Sequence, residues 1–108
     1  MSRTRSPRPA TVFAALGDET RLRLVARLVA EGPQSITRLT AGARVTRQAV
    51  TKHLRMMEHA RLVHSTRRGR ESVWELDRQR LVEARRYLDQ ISAQWDDALA
   101  RLKAFVEE

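Results

Sequence analysis

Cysteine is absent from the 108-residue sequence, and this absence excludes disulfides, thiolate metal sites and thiol redox switches. The sequence also lacks any run of about 18 apolar residues, the length that a membrane-spanning helix needs. Its first ten residues, MSRTRSPRPA, have no apolar middle segment of the kind found in a secretory signal. We therefore expect a cytoplasmic protein that makes no contact with a membrane.

Features of an enzyme or a metal site are equally scarce. Histidine occurs only as His53, His59 and His64, at spacings that do not place the rings on one helical face. No Gly-rich phosphate loop is present, and no base lies at a spacing that would activate a nucleophile. The sequence thus predicts a protein that is not an enzyme and holds neither metal nor cofactor. We interpret His53 as a half-buried, hydrogen-bonded side chain, with phosphate contact as the alternative.

Positive charge is abundant and unevenly distributed over a chain that is long enough for one small domain. Lys plus Arg outnumber Asp plus Glu by 7 to 3 in residues 1–43 and by 8 to 3 in residues 44–76, whereas residues 77–108 carry 6 against 7. A basic region confined to the middle of a domain indicates a polyanionic partner, most commonly nucleic acid. Residues 1–9 carry Arg3, Arg5 and Arg8 without an acid and are predicted to form a flexible basic arm. Such an arm either touches DNA or only aids solubility.

Three short helices are predicted before residue 43. Val12, Phe13 and Leu16 form an apolar stripe that ends at Gly17. Asp18 and Ser35 are positioned to cap the second and third helices, which Gly32 and Gly42 end. In the second helix the predicted buried residues are Leu22, Val25, Ala26, Leu28 and Val29, and the predicted solvated residues are Arg21, Arg23 and Arg27.

The segment from Thr46 to Leu62, TRQAVTKHLRMMEHARL, has two different faces when placed on a helix. Thr46 is positioned to cap it. Ala49, Val50, Leu54 and Met57 form a packing stripe, while the opposite side carries Gln48, Thr51, Lys52 and Arg55. Such a donor-rich surface suits phosphates and base edges, although a charged outer face is also the norm for an ordinary amphipathic helix. A short helix, a Gly-containing turn and this helix together predict a helix-turn-helix, with the second helix reading DNA.

A β-hairpin is predicted next, because Leu62 to Leu76 changes from helical to alternating periodicity. Its turn carries Arg67, Arg68 and Arg70 around Gly69. Like charges this close repel one another, and phosphate would remove that repulsion, so the hairpin resembles a DNA-binding wing. A merely solvated loop is the alternative. Trp74 alternates with Leu76 and is interpreted as a core or dimer contact.

The last segment, residues 77–108, carries an apolar seam at alternating spacings of three and four. The seam consists of Leu81, Ala84, Leu88, Ile91, Trp95, Ala98, Leu102 and Phe105. A helix of about 30 residues would be roughly 45 Å long, longer than such a small domain can cover. Either a second chain covers part of the seam, which predicts a homodimer, or the helix breaks between Asp77 and Leu88.

These stretches resemble the ArsR/SmtB type of bacterial winged-helix transcriptional regulators over almost the whole chain. The matching segments are ALGDETRLRLVARL (15–28), VTRQAVTKHLRMMEHARLV (45–63) and RRGRESVWEL (67–76). The resemblance implies a dimer through the first and last helices, and a recognition helix that places Arg47, Gln48, Thr51 and Lys52 near bases or phosphates. The candidate dimer contacts are Val12, Phe13, Leu16, Leu88, Ile91, Trp95, Leu99 and Leu102.

Two departures from the family pattern concern metal binding. Metal-sensing members carry a cysteine pair in the helix that here reads SITRLTA (35–41), and others bind zinc through Asp and His on the last helix, where this chain has no histidine. Members that sense persulfide or oxidants also use cysteines. The chain therefore resembles a cysteine-free branch, and its inducing signal cannot be read from the residues.

The predicted protein is mostly α-helical with a small hairpin: a winged helix-turn-helix domain over residues 10–108, with a wing at 62–76 and a dimerisation helix at about 78–106. We expect a homodimeric repressor that binds a palindromic operator in double-stranded DNA. The candidate DNA contacts are Thr46, Arg47, Gln48, Thr51, Lys52, Arg55, Arg67, Arg68 and Arg70. A winged-helix protein-interaction module and a nonspecific nucleoid-type DNA binder are the alternatives.

Overall fold

The computed structural model describes residues 8–107, which form helices and one small sheet. The predicted arm, residues 1–9, lies outside the described residues except for Arg8 and Pro9, and Pro9 already begins the first helix. The elements are α1 (Pro9–Leu16), α2 (Glu19–Glu31), β1 (Gln34–Ser35), α3 (Ile36–Thr40), α4 (Arg47–His59), β2 (Val63–Arg68), β3 (Glu71–Leu76) and α5 (Arg78–Glu107). The fold is the predicted winged helix-turn-helix, with α3 and α4 as its helix pair and β2–β3 as its wing.

The helix starts follow the predicted caps. Asp18, Ser35 and Thr46 each adopt extended backbone angles and accept a hydrogen bond from the third residue along, which satisfies one of the free N–H groups at a helix start. These bonds come from the backbone N–H groups of Arg21, Arg38 and Ala49, at 3.0, 3.2 and 3.1 Å. All three predicted caps are confirmed.

The sheet contains one strand more than predicted. Its order is β1-β3-β2, with antiparallel pairing throughout. β1 consists of only Gln34 and Ser35, which pair with Trp74 and Val73. Two residues are too few to show an alternating pattern, and Ser35 is also the cap of α3. The extra strand anchors the base of the wing to the end of α2.

The core lies between α1, α2, the helix pair and the sheet. Its most buried large side chains are Trp74, Leu39, Leu54, Met57, Leu62, Val50 and Val63. Val12, one of the predicted dimer contacts, is only 4% exposed and belongs to this core. It therefore has little surface to offer to a partner.

The buried side of α2 differs from the prediction. Leu24, Val25 and Leu28 are buried, whereas Leu22 and Val29 are more than half exposed. The helix carries apolar residues around most of its circumference, so periodicity alone did not show which flank the neighbouring elements cover.

The last helix is continuous from Arg78 to Glu107, so the alternative of a break before Leu88 is wrong. Phe13 of α1 contacts Tyr87 with ring centroids 6.0 Å apart, which places α1 against the first half of α5. Ala84 is buried there, but the side chains beyond Tyr87 are nearly all exposed. The described residues extend over 68 × 42 × 20 Å because this helix projects from the domain.

Candidate nucleic-acid interface

The outward face of α4 is the centre of the candidate interface. Val50, Leu54 and Met57 are at most 1% exposed, as the packing stripe predicted. Arg47, Gln48 and Lys52 are exposed, and within residues 8–107 none of these side chains forms an ion pair or a hydrogen bond. The first turn of α4 holds no acidic residue, so the positive end of the helix dipole is not offset there. This face offers free donors to an anionic ligand.

Two hydroxyls on α4 are already engaged by the helix itself. Thr46 Oγ1 caps the helix by accepting from the N–H of Ala49. Thr51 is half-buried, and its Oγ1 donates to the carbonyl of Arg47 at 2.9 Å. This bond to the preceding turn uses the hydroxyl proton of Thr51. The lone pairs of the oxygen and the methyl group stay available for contact with a ligand.

Arg55 has a different environment from the one that its outward position predicted. Its Nη1 donates to Glu58 Oε1 at 2.8 Å, and its guanidinium lies 5.1 Å from the ring centroid of Trp74. Trp74 is 1% exposed and comes from β3, so Arg55 joins α4 to the wing. The helical periodicity of α4 could not have shown the contact with Trp74, because Trp74 lies on a strand that is distant in sequence.

Arg21 fixes α4 from the other side. Its Nε donates to the carbonyl of Ala15 at 2.6 Å, and its Nη1 lies 3.3 Å from His53 Nδ1. Arg21 was expected on a solvated face of α2 and is instead half-buried between α1 and α4. His53 is half-buried and hydrogen-bonded, as predicted.

Asp18 completes this cluster. Its Oδ2 lies 3.9 Å from His53 Nδ1. The hydrogen bond from the backbone N–H of Arg21 lowers the pKa of the Asp18 carboxyl below its ordinary value of 3.8, against a smaller opposing effect of desolvation. The Arg21 guanidinium lowers this pKa further. The cluster therefore favours a charged carboxylate at the start of α2.

The wing presents arginines at its tip. The last strand pair is Arg68 with Glu71, and Gly69 in the turn adopts φ +63°, a region that glycine enters without a steric penalty. Arg67, Arg68 and Arg70 are exposed, and in the part of the chain that the structure describes none of them forms an ion pair. Because side chains alternate along a strand, Arg67 and Arg68 lie on opposite faces of the hairpin.

A further exposed cation, Arg44, lies close to the start of α4. It precedes the cap Thr46 by two residues and has no ion pair among residues 8–107. It lines a groove of about 340 Å³ together with Arg23 and Arg27, which pair with Glu19 and Glu31. Arg44 is not among the DNA contacts predicted from the sequence, although a cation two residues before a helix cap was a usable signal.

The second half of α5 exposes a continuous apolar face. Trp95, Leu102 and Phe105 are 66%, 59% and 75% exposed. Leu99 and Val106 are also exposed in this half, and Leu88 and Ile91 are exposed at the end of the first half. Phe13 of α1 is half-buried beside Tyr87 of the same helix, and Leu16 is half-buried against the core.

Among residues 8–107, no three His, Cys, Asp or Glu side chains are grouped so that they could hold a metal ion. None of the described helices combines the length and the apolar character that crossing a membrane requires.

Comparisons with known proteins agree with this geometry. Residues 16–66 match a family described as a helix-turn-helix domain. The chain is 39% identical over 99 residues to the HTH-type transcriptional regulator Rv2034 of Mycobacterium tuberculosis, covering 92% of this chain and 87% of that protein.

Solved structures are similar over nearly the whole chain. An ArsR-like transcriptional regulator from Rhodococcus sp. RHA1 is 38% identical with a TM-score of 0.79, covering 90% of this chain and 91% of that one. A protein described as a possible transcriptional regulator for arsenical resistance is 34% identical with a TM-score of 0.69, covering 87% and 93%. The chain therefore belongs to the ArsR family of winged helix-turn-helix transcriptional regulators, a DNA-binding family without enzymatic activity.

Proposed function

We propose that this regulator is a repressor that binds a palindromic operator as a homodimer. The outward face of α4 carries the proposal, because Arg47, Gln48 and Lys52 are exposed there without a partner in the described chain. A dimer would place two copies of α4 in successive major grooves about one helical turn apart. Repression then follows from occupancy of the operator.

Sequence choice is assigned to Gln48 and Thr51, with Arg47 or Lys52. A free carboxamide such as that of Gln48 can form two hydrogen bonds with adenine in the major groove. The Thr51 hydroxyl donates to its own helix, so Thr51 would contact DNA through its methyl group or as an acceptor. The methyl group could contact the methyl group of thymine. The hydroxyl oxygen could accept a hydrogen bond from the amino group of adenine or cytosine.

Affinity is assigned to the wing arginines. Arg67 and Arg68 lie on opposite faces of the hairpin, so together with Arg70 they would reach phosphates on both sides of the wing tip. Arg55 is a weaker candidate because phosphate would compete with Glu58 and with the face of Trp74. Thr46 would contribute mainly by holding the start of α4 in place.

The dimer is assigned to α1 and α5. Leu88, Ile91, Trp95, Leu99 and Leu102 all lie on the exposed part of α5. A monomer that leaves such a stripe in water forgoes about 25 cal/mol for each Å² that a second copy could bury. Phe13 and Leu16 would add the edge of α1, whereas Val12 would only support them from the core.

The experiment measures binding to a DNA fragment from upstream of the gene and to random DNA of equal length. Gln48→Ala should cost about 1 to 3 kcal/mol on the operator and much less on random DNA, because only the operator offers the matching base edges. Gln79→Ala is the matched control, since it removes an exposed glutamine of α5.

Equal losses on both DNAs would show that Gln48 does not read bases. Footprinting of the same fragment gives the second readout: we expect a short protected palindrome. Uniform protection along the fragment would favour a nonspecific binder, and an absence of protection at all concentrations would favour a protein-interaction module.

A further inference from the structure

The structure contains an open groove between α2, β3 and α5 that the DNA-binding face does not include. It has a volume of about 520 Å³, within the range of small-molecule sites. Its apolar wall consists of Leu28, Val29, Leu76, Leu81 and Val82. We refer to it as the α2–β3–α5 groove.

Two arginines bracket the apolar wall. Arg78, Leu81, Val82 and Arg85 follow the i, i+3, i+4, i+7 pattern of one helical face, and all four line the groove. The two arginines are thus separated by about 10 Å along α5, with the apolar residues between them. Both are exposed.

Three acids around the groove, Glu75, Glu83 and Asp77, each have a polar partner within the chain. Glu75 lies 3.0 Å from His64, and Glu83 pairs with Arg80 at 2.9 Å. Asp77 accepts a hydrogen bond from the backbone N–H of Gln79 at the start of α5.

Arg78 and Arg85, in contrast, form no ion pair within residues 8–107. Two cations, Arg78 and Arg85, thus line the groove against one acid, Glu75. The α2–β3–α5 groove is therefore electropositive as well as apolar.

We propose that the α2–β3–α5 groove binds an apolar molecule that carries a carboxylate. The hydrocarbon body would lie on the apolar wall, and the carboxylate would accept charge-assisted hydrogen bonds from Arg78 or Arg85. A small anion such as inorganic phosphate would leave the apolar wall without a contact. The first seven residues of this chain are a poor match for the groove, because they carry arginines and no acid. The site stands independently of operator binding.

The test is calorimetric titration of the full chain with decanoate, kept below its micelle concentration. Acetate has the same head group without the chain, and decyltrimethylammonium has the same chain with the opposite charge. Decanoate should bind saturably and both controls should not. Equal binding of decanoate and decyltrimethylammonium would overturn the proposal, as would an absence of saturable decanoate binding.

Variants locate the site. Arg78→Gln and Arg85→Gln together should weaken decanoate binding about tenfold or more, since a hydrogen bond to a charged group contributes at least that factor. Arg86→Gln is the matched control, because Arg86 is a neighbouring exposed arginine of α5 that does not line the groove. Equal weakening by the control variant would contradict the assignment.

A second copy of the chain is the competing occupant. Val29→Asp and Val82→Asp place acids on the wall and should abolish decanoate binding while leaving the sedimentation coefficient unchanged. If they instead convert a dimer into folded monomers, as judged by sedimentation and circular dichroism, the groove is a subunit contact and the proposal is wrong.

Discussion

At the scale of single residues, Arg21 connects three helices. Arg21 belongs to α2, and its guanidinium donates to the carbonyls of Ala14 and Ala15 near the end of α1. It also contacts His53 and Met56 of α4. The Ala15 carbonyl lies in the last turn of α1, where carbonyls have no partner within the helix, so the guanidinium supplies a bond that α1 cannot make itself. Arg27 acts similarly by donating to the Leu39 carbonyl of α3.

Arg21→Gln should lower the free energy of unfolding by about 2 kcal/mol, because charged hydrogen bonds are lost and the carbonyl of Ala15 loses this donor in a half-buried position. Urea denaturation followed by circular dichroism measures the change. Arg23→Gln is the control: Arg23 pairs with Glu19 in the open, so its loss should cost only about 0.5 kcal/mol or less. Equal effects of the two substitutions would contradict the role given to Arg21.

Asp18 makes stability depend on pH. Its lowered pKa means that the folded state favours the carboxylate, so the charge stabilises the protein above the ordinary carboxyl pKa of 3.8 and this contribution is lost as the pH falls through the lowered value. Asp18→Asn keeps a capping group and removes the charge. The variant should therefore be less stable than wild type at neutral pH, with the difference shrinking in acid. A difference that stays constant in urea titrations across this range would rule out the charge effect.

At the scale of elements, the wing differs from α4 in what it can recognise. Its arginines lie on a turn and on both hairpin faces, an arrangement suited to phosphates rather than to a base sequence. α4 instead presents a row of side chains on a helix that Arg21 holds on one side and that Arg55 joins to Trp74 on the other. Affinity and sequence choice should therefore respond to different substitutions.

Arg68→Ala should weaken binding to all DNA sequences alike and reduce the slope of log affinity against log salt by about one, because one phosphate contact releases about 0.9 counterion. Binding isotherms over a range of salt concentrations measure the slope. Arg86→Ala, which removes an arginine from α5, should leave the slope unchanged. A slope that is the same in Arg68→Ala and wild type would remove the wing from the interface.

The elements could be predicted from sequence where the signal is local. Caps at Asp18, Ser35 and Thr46 and the stripe of α4 depend on neighbours a few residues away, and all of them are confirmed. Contacts between distant segments could not be predicted in this way. The two-residue strand β1, the choice of buried flank on α2 and the positions of Arg21 and Arg55 each depend on a partner far along the chain.

At the scale of the whole molecule, α5 is too long for the domain that carries it. Helix periodicity predicted both its length and its apolar seam, but left open whether it breaks. The structure shows one helix of 30 residues whose second half is exposed. Nothing within the described chain covers this face, which favours self-association.

Trp95→Asp should convert a dimer into monomers at micromolar concentration, because it places a charge in the centre of the exposed apolar face. Sedimentation equilibrium measures the mass, and circular dichroism checks that the variant is folded. Gln94→Asp is the control, since it adds the same charge one residue away and off the apolar seam. A folded wild-type monomer at this concentration would contradict the proposed dimer.

The bond network of Arg21 has a consequence for operator geometry. It ties α4 to the end of α1, and α1 lies against the helix that would form the subunit contact. In a symmetric dimer, a displacement of α4 relative to the two-fold axis is doubled in the distance between the two recognition helices. A shift of about 2 Å in each subunit would thus change that distance by about 4 Å, more than one base-pair step of about 3.4 Å. By fixing the position of α4, the guanidinium of Arg21 would help to set the distance between the two recognition helices, and with it the half-site spacing that the dimer binds.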